Sequence, residues 1–253
     1  MFLKGVHMPR FFINHSATPG EPVVLEGEDA RHIATVLRMK AGEKITVCDF
    51  FNTEYTCEIE EARGAEVRLR VLSAGSVESE PPFPITLCMA LPKGDKMDLI
   101  VQKAVELGVS EILPFTSAYT VVKPDERGKE KKRERWQKIA KGAAEQCGRG
   151  RIPQIGEIRS FGALLAQFEK EEALKLFCYE REEGRTLAQA FQENPHPRGL
   201  VFFVGAEGGF DGKEAEAAER AGFLPVSLGK RILRCETAPL FVLSGAACAY
   251  ELM

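Results

Sequence analysis

The rhythm of apolar positions changes near residue 85. Upstream, from about Arg10 to Leu72, apolar residues fall in short strand-like runs: Pro22 to Leu25, Lys44 to Asp49, Glu54 to Ile59 and Glu66 to Val71. Pro19-Gly20, Ala41-Gly42, Asn52 and Arg63-Gly64 separate them as turns. One helix interrupts the pattern. After Glu28-Asp29, the residues His32, Ile33, Val36 and Leu37 recur at helical spacing and predict an amphipathic turn or two. Short strands with a single helix suggest a small barrel. Gly75 to Pro84 is polar and holds three prolines, the composition of a linker. The predicted division is a first domain over 1–75, a linker over 76–84 and a second domain over 85–253.

Downstream, strands alternate with helices. Ile85 to Leu91 is a continuous apolar run, as in a strand buried on both faces. Over Asp95 to Leu107, Met97, Ile100, Val101, Ala104 and Val105 form one apolar stripe, with Asp95 as cap and Gly108 as terminator. Glu111 to Phe115 reads as a strand and Arg133 to Cys147 as a helix with Trp136, Ile139, Ala140, Ala143 and Ala144 inward. Ala173 to Tyr179 is a strand, Thr186 to Phe191 a short helix and Leu200 to Val204 a strand. Asp211 and Glu214 stand in capping-box spacing at the head of a helix to Ala221. Leu224 to Leu228 is a strand, and a last helix starts near Thr237 with Pro239 in its first turn. Such alternation predicts an α/β domain whose mostly parallel sheet carries helices on both faces.

Composition adds bounds. The chain has 253 residues, 44% hydrophobic and 28% charged, ordinary for a globular protein with ample core. Seven scattered cysteines form no CxxC pair, which favours a reducing, cytoplasmic setting and argues against a zinc site. The N-terminus has no apolar core of a signal peptide, and Ala238 to Tyr250 is too short to span a bilayer. Met8-Pro-Arg-Phe-Phe-Ile suits a natural start, with Met1 to His7 as an alternative start or an extension. The net charge is -3, yet Lys123 to Arg151 carries 11 Lys and Arg against 5 Asp and Glu, an electrostatic footprint for phosphates.

Four places carry candidate chemistry. Gly205-Ala-Glu-Gly-Gly-Phe210 follows a buried strand; it lacks the residues of a Walker loop and the spacing of a dinucleotide fingerprint. Its glycines suit close ligand approach, and equally a plain strand-to-helix turn. Leu228-Gly-Lys-Arg-Ile-Leu-Arg-Cys-Glu-Thr-Ala-Pro239 packs Arg231, Arg234 and Glu236 beside the start of a helix. A surface ion pair would explain that crowding without function. Arg149-Gly-Arg151 closes the basic stretch, and Lys93 and Lys96 sit between a strand and a helix, where open α/β sheets build sites. His32 and Arg38 suit contacts to RNA or a purely structural role. Three readings stand on these features: an enzyme with a ligand site near Gly205, a non-catalytic RNA-binding assembly factor, and a small-molecule enzyme using another nucleotide.

Taken together, Leu91-Pro-Lys-Gly-Asp-Lys-Met-Asp98, Gln102-Lys-Ala-Val-Glu-Leu-Gly108, Glu145-Gln-Cys-Gly-Arg149, Gly205 to Phe210 and Leu228 to Ala238 resemble the bacterial 16S ribosomal RNA uridine-N3 methyltransferases of the SPOUT class. Met8-Pro-Arg-Phe-Phe12 and His32 to Arg38 with Gly42 are similar to that family's PUA-like RNA-binding domain. The resemblance covers nearly the whole chain. It implies a C-terminal trefoil knot that holds S-adenosylmethionine, a homodimer, no metal and no membrane. The substrate it implies is 16S ribosomal RNA or the assembled small subunit, methylated at N3 of a uridine. The implied cofactor residues are Val204, Gly205, Gly208, Gly209, Leu228, Ile232, Leu233, Arg234, Thr237 and Ala238. Arg234, Glu236 and Glu207 are the implied catalytic residues, and Arg10, His32, Arg38, Lys93, Lys96, Arg149 and Arg151 the implied RNA contacts. The family usually has proline where this chain has Ala206; the flanking glycines remain, so cofactor binding is expected to survive.

Overall fold

The computed structural model describes residues 8–122 and 124–252. Met1 to His7 lie outside the described residues, as does Lys123 at the head of the basic stretch. The chain forms two compact units, residues to Glu80 with Ala144–Arg151, and Pro81–Ala143 with Ile152 onward.

The first unit is a five-stranded sheet. Its strands are β1 (Arg10–Phe12), β2 (Pro22–Glu26), β3 (Lys44–Cys48), β4 (Thr53–Arg63) and β5 (Glu66–Ser76), in the order β1-β3-β4-β5-β2. Neighbours are antiparallel except β1 and β3, which run parallel from the pair Arg10–Thr46. Alternation aims Val67, Leu69 and Val71 inward with Ile45, Val47, Cys57 and Ile59. β5 runs through Ser76, one residue into the segment read as linker, and within that segment Val77 is buried.

The predicted helix of this unit is present but differs in form. Helix α1 (Gly27–Arg31) passes directly into a π turn over His32–Val36, where the Leu37 N–H donates to the His32 carbonyl at 2.9 Å. The extra residue per turn rotates the apolar stripe. Ile33 stays buried, whereas Val36 is 69% and Leu37 39% exposed, so the amphipathic turn predicted here buries fewer of its apolar positions than their spacing implies.

The second unit is an all-parallel sheet. Its strands are β6 (Ile85–Ala90), β7 (Glu111–Thr116), β8 (Gln154–Ile155), β9 (Arg159–Ser160), β10 (Leu174–Cys178), β11 (Leu200–Val204) and β12 (Leu224–Val226). The order is β12-β10-β11-β6-β7-β8, with β9 also on β7. β6 and β11 are buried at every position, the mark of a sheet covered on both faces. The helices are α2 (Lys96–Glu106), α3 (Glu126–Cys147, which runs on into the first unit), α4 (Phe161–Phe168), α5 (Leu187–Glu193), α6 (Gly212–Arg220) and α7 (Ala238–Tyr250).

The local signals account for most ends. Asp211 and Glu214 form the expected capping box, and Thr186 with Gln189 forms a second one. Gly108, at φ 92°, takes the left-handed turn that ends α2. Asp95 precedes α2 but makes no side-chain cap, contrary to expectation; its carboxylate lies 3.7 Å from Arg135. α3 starts seven residues earlier than the apolar stripe predicts, because its first turns, charged at every position but Gly128, carry no apolar stripe and instead hold the pairs Lys129–Glu126 and Arg133–Glu130. Among the described residues no helix is long and apolar enough to cross a membrane.

Candidate functional site

Beneath the site lies an aromatic layer. Phe210, fully buried directly after the glycine run, packs on Phe177 of β10 at 4.2 Å and on Phe161 of α4 at 5.7 Å. This ring pins the chain where it leaves β11. Above it, the Gly209 N–H donates to the Ala206 carbonyl at 3.0 Å and closes residues 205–209 into a tight turn.

Three glycines make that turn possible, each for its own reason. A Cβ on Gly205 would fall 2.9 Å from the Gly209 Cα. One on Gly208 would fall 2.8 Å from the Tyr119 Cβ. Gly209 holds φ 64°, and a Cβ there would meet a Glu180 carboxylate oxygen at 2.6 Å. Close packing of backbone against a carboxylate is more than a generic strand-to-helix turn requires.

The turn borders a cavity of about 390 Å³. Its walls come from the carboxyl ends of three adjacent parallel strands: Cys178 to Glu180 at the end of β10, Val204 to Gly209 at the end of β11 and Ser227 to Gly229 after β12. The run Arg231 to Cys235, Ala238 at the start of α7 and Lys96 at the start of α2 complete it. This is where an open α/β sheet places a ligand, and the volume suits a small cofactor.

Of the predicted cofactor residues, Val204, Gly205, Gly208, Gly209, Leu228, Ile232, Leu233, Arg234 and Ala238 line the cavity. Thr237 does not; it is the exposed residue before α7, where its N–H donates to the Arg234 carbonyl at 2.9 Å. Cys178, Tyr179 and Glu180 were not anticipated. Their signal was present: they follow a buried strand, as Gly205 does, but carry no glycine to advertise a loop.

The catalytic candidates gather around one lysine. Lys96 Nζ donates to Glu207 Oε1 at 2.7 Å and lies 3.6 Å from Glu236 Oε2 and 3.8 Å from Cys235 Sγ. The Lys93 N–H adds a second donor to Glu207 at 3.1 Å. Lys96 was expected to meet RNA; instead it bridges the two carboxylates, and its pKa is raised chiefly by the hydrogen bond to Glu207. Burial pushes Glu207 up, but Lys96 and the backbone donors outweigh it and hold the carboxyl below its usual value. Glu236 is likewise low: its backbone hydrogen bond, the Cys235 thiol, Lys96 and Arg234 overcome its burial. Burial raises the thiols Cys178 and Cys235 each to about 12, the latter with help from Glu236, so both stay protonated at neutral pH and are poor nucleophiles. Among the described residues no group of three or more His, Cys, Asp or Glu could hold a metal ion.

The other predicted RNA contacts lie in the first unit and differ in availability. Arg10 is committed to Glu54 at 2.9 Å and donates to Cys48 Sγ. Arg149 is 4% exposed and grips Glu80 through two nitrogens at 2.9 and 2.6 Å. The expectation that Arg149 meets phosphate is therefore corrected to a structural ion pair. Arg151, His32 and Arg38 are exposed, with His32 edge-on to Phe11 and Arg38 at φ 55°.

The model of an RNA methyltransferase domain matches residues 79–247, and that of an RNA methyltransferase PUA domain matches residues 25–72. This chain belongs to the RNA methyltransferase family. It is 35% identical to ribosomal RNA small subunit methyltransferase E of Bacillus subtilis, over 97% of this chain and 98% of the relative. Among solved structures it is similar to ribosomal RNA small subunit methyltransferase E from Neisseria gonorrhoeae bound to S-adenosyl methionine. The TM-score is 0.86 at 34% identity, covering 96% of this chain and 98% of the other. Protein Lpg2936 of Legionella pneumophila, solved with bound SAM, gives the same TM-score, identity and coverage.

Proposed function

We propose that this chain transfers a methyl group from S-adenosylmethionine to N3 of a uridine in the 16S RNA of the small ribosomal subunit. The observation that carries this reading is the cavity between the closed glycine turn and the Arg231–Cys235 run. It offers backbone at close range on one wall and a cation beside two carboxylates on the other. Membership of the RNA methyltransferase family supports it.

The residues suit the cofactor. Gly205, Gly208 and Gly209 let the turn close on itself, on Tyr119 and on Glu180, so that main chain borders the cavity, and Glu180 would serve there as an acceptor for ribose hydroxyls. S-adenosylmethionine supplies an activated methyl group when bound. The trefoil knot and the homodimer implied by the resemblance belong to the same proposal. Leu99 on α2 and Phe241 on α7, each more than 40% exposed, offer apolar surface for a second copy.

The protein must orient the base and manage the N3 proton, which leaves a weakly acidic nitrogen. Arg234 is exposed at the cavity and carries a permanent charge. It stabilises the negative charge that develops on a uracil oxygen as the proton departs. Glu207 is engaged by Lys96 and the Lys93 N–H and acts as a positioning residue. Glu236 is less engaged and is the proton acceptor of choice. Its lowered pKa makes it a weak base, so proton loss depends on the charge stabilisation by Arg234.

Calorimetric titration with S-adenosylhomocysteine, followed by a methyl-transfer assay on small subunits and on naked 16S RNA, tests the reading. Micromolar binding and labelled N3-methyluridine are expected. A folded protein that neither binds the analogue nor methylates either substrate overturns it.

A further inference from the structure

We propose that the turn between β3 and β4 is a stacking platform for an unpaired base of the RNA substrate, with Arg151 contacting the adjoining phosphate. The inference rests on the methyltransferase reading and adds where the RNA is held.

Tight turns between strands are usually polar, because their side chains face water. This one presents Phe50 and Phe51, which are 49% and 68% exposed. The backbone beneath them is fully tied. Asp49 is completely buried, and its carboxylate accepts from the Phe51 N–H at 2.8 Å, the Thr53 N–H at 3.0 Å, the Tyr55 hydroxyl at 2.8 Å and the Ser16 hydroxyl at 3.2 Å. Burial pushes that carboxyl up, but the four donors outweigh it and hold it ionised. Asn52 takes the left-handed conformation at φ 69°, which asparagine tolerates. Two of the carboxylate's four bonds thus go to N–H groups of the turn itself and hold the backbone that presents the two phenyl rings to water. A backbone fixed in advance loses little freedom on binding.

An exposed cation belongs to a segment that packs on the same residue as the turn, Val77. The Val77 N–H donates to the Asn52 carbonyl at 3.2 Å, and a Cβ on Gly150 would fall 2.2 Å from Val77 Cγ1. Val77 therefore joins the turn to the segment of residues 149–151. Arg149 points inward to Glu80, and the Gly150 N–H donates to the same carboxylate at 2.9 Å. Arg151, the next residue of this segment, is exposed. The next carboxylate along β4, Glu54, is neutralised by Arg10.

Two flat rings and an exposed guanidinium match the two parts of a nucleotide, a π face and a phosphate. Two phenylalanines alone are far too little surface for a stable protein interface, which takes about 800 Å² per partner. The geometry therefore favours a splayed-out base over a ribosomal protein.

The test uses full-length chain carrying Phe50→Ala with Phe51→Ala, and separately Arg151→Gln. Dissociation constants for in-vitro-transcribed 16S RNA and for assembled small subunits are measured over a range of salt, with S-adenosylhomocysteine titration as a check on folding. The double variant should bind RNA about tenfold or more weakly, as for the loss of one stacked base, with an unchanged salt slope. Arg151→Gln should lower the slope by about one. A double variant that keeps both analogue binding and wild-type RNA affinity overturns the platform. So does a loss confined to assembled subunits, which would make the turn a protein contact. Phe51→Trp guards against misfolding: quenching of its fluorescence by RNA supports stacking, and constant fluorescence at saturation refutes it. If wild type neither binds nor methylates RNA, the methyltransferase reading fails first; if wild type does both and the variants match it, the platform alone falls.

Discussion

Gly205–Gly209 and Leu228–Cys235 line one cavity but are built on opposite plans. The glycine turn is closed by its own hydrogen bond, pinned by the buried Phe210 and packed against Tyr119 and Glu180. The second run is open: Lys230, Arg231, Ile232 and Arg234 are exposed, Ile232 to 83%. Its anchors are at the ends, where Gly229 turns at φ 107° and Cys235 is buried. A rigid wall facing an exposed one suggests a division of labour. The closed turn shapes the pocket before anything binds. The open run leaves the side chains of Arg231, Ile232 and Arg234 exposed at the cavity.

Arg234→Ala is the sharpest way to break this contrast. Turnover should fall roughly 100-fold, as for a lost donor to a developing oxyanion. Titration with S-adenosylhomocysteine should show nearly unchanged affinity. A large loss of affinity with normal single-turnover chemistry would move Arg234 to the cofactor side. Gly209→Ala strikes the opposite wall. The left-handed backbone alone should cost about 1–2 kcal/mol of stability, read from chemical denaturation, and the crowding of Glu180 should weaken analogue binding. Wild-type stability and affinity would show that the turn relaxes freely.

Lys96→Gln should have a smaller effect, on pH dependence. Glu207 and Glu236 now lie below their usual values, so both are ionised above the ordinary carboxylate range. Their contribution to stability is present above the unfolded pKa and lost as pH falls through the lowered folded one. Without Lys96 the folded values rise, so the acid limbs of the rate profile and of the stability curve should both move to higher pH. A rate profile that does not move would remove the carboxylates from the chemistry. Ile232→Ala should be smallest in stability, within about 0.5 kcal/mol, because the side chain is already in water. A larger drop in thermal unfolding would mean that the run is more ordered than its exposure implies.

Much of the fold was legible because periodicity and end signals are local. The runs Ile85 to Leu91 and Leu200 to Val204 read as buried strands, and both are. The capping box of Asp211 and Glu214 needs only three residues of spacing to form. Helix α4 went unread although Ser160 caps it and Phe161, Leu164, Leu165 and Phe168 follow at helical spacing. The π turn at His32 had no comparable local signal, since one added residue per turn leaves the apolar count unchanged.

By itself the sequence determined where most strands and helices lie, which loops follow buried strands, and the family resemblance with the cofactor and RNA substrate it implies. Those properties rest on neighbours in the chain and on motifs kept in order. Only the tertiary structure decided what each charged side chain does. Lys96 holds Glu207 at 2.7 Å across 111 positions, and Arg149 meets Glu80 across 69. Glu180 reached the cavity because β10 and β11 are neighbours in the sheet. A charge takes its role from its partner, and the fold chooses partners across distances that local sequence does not encode.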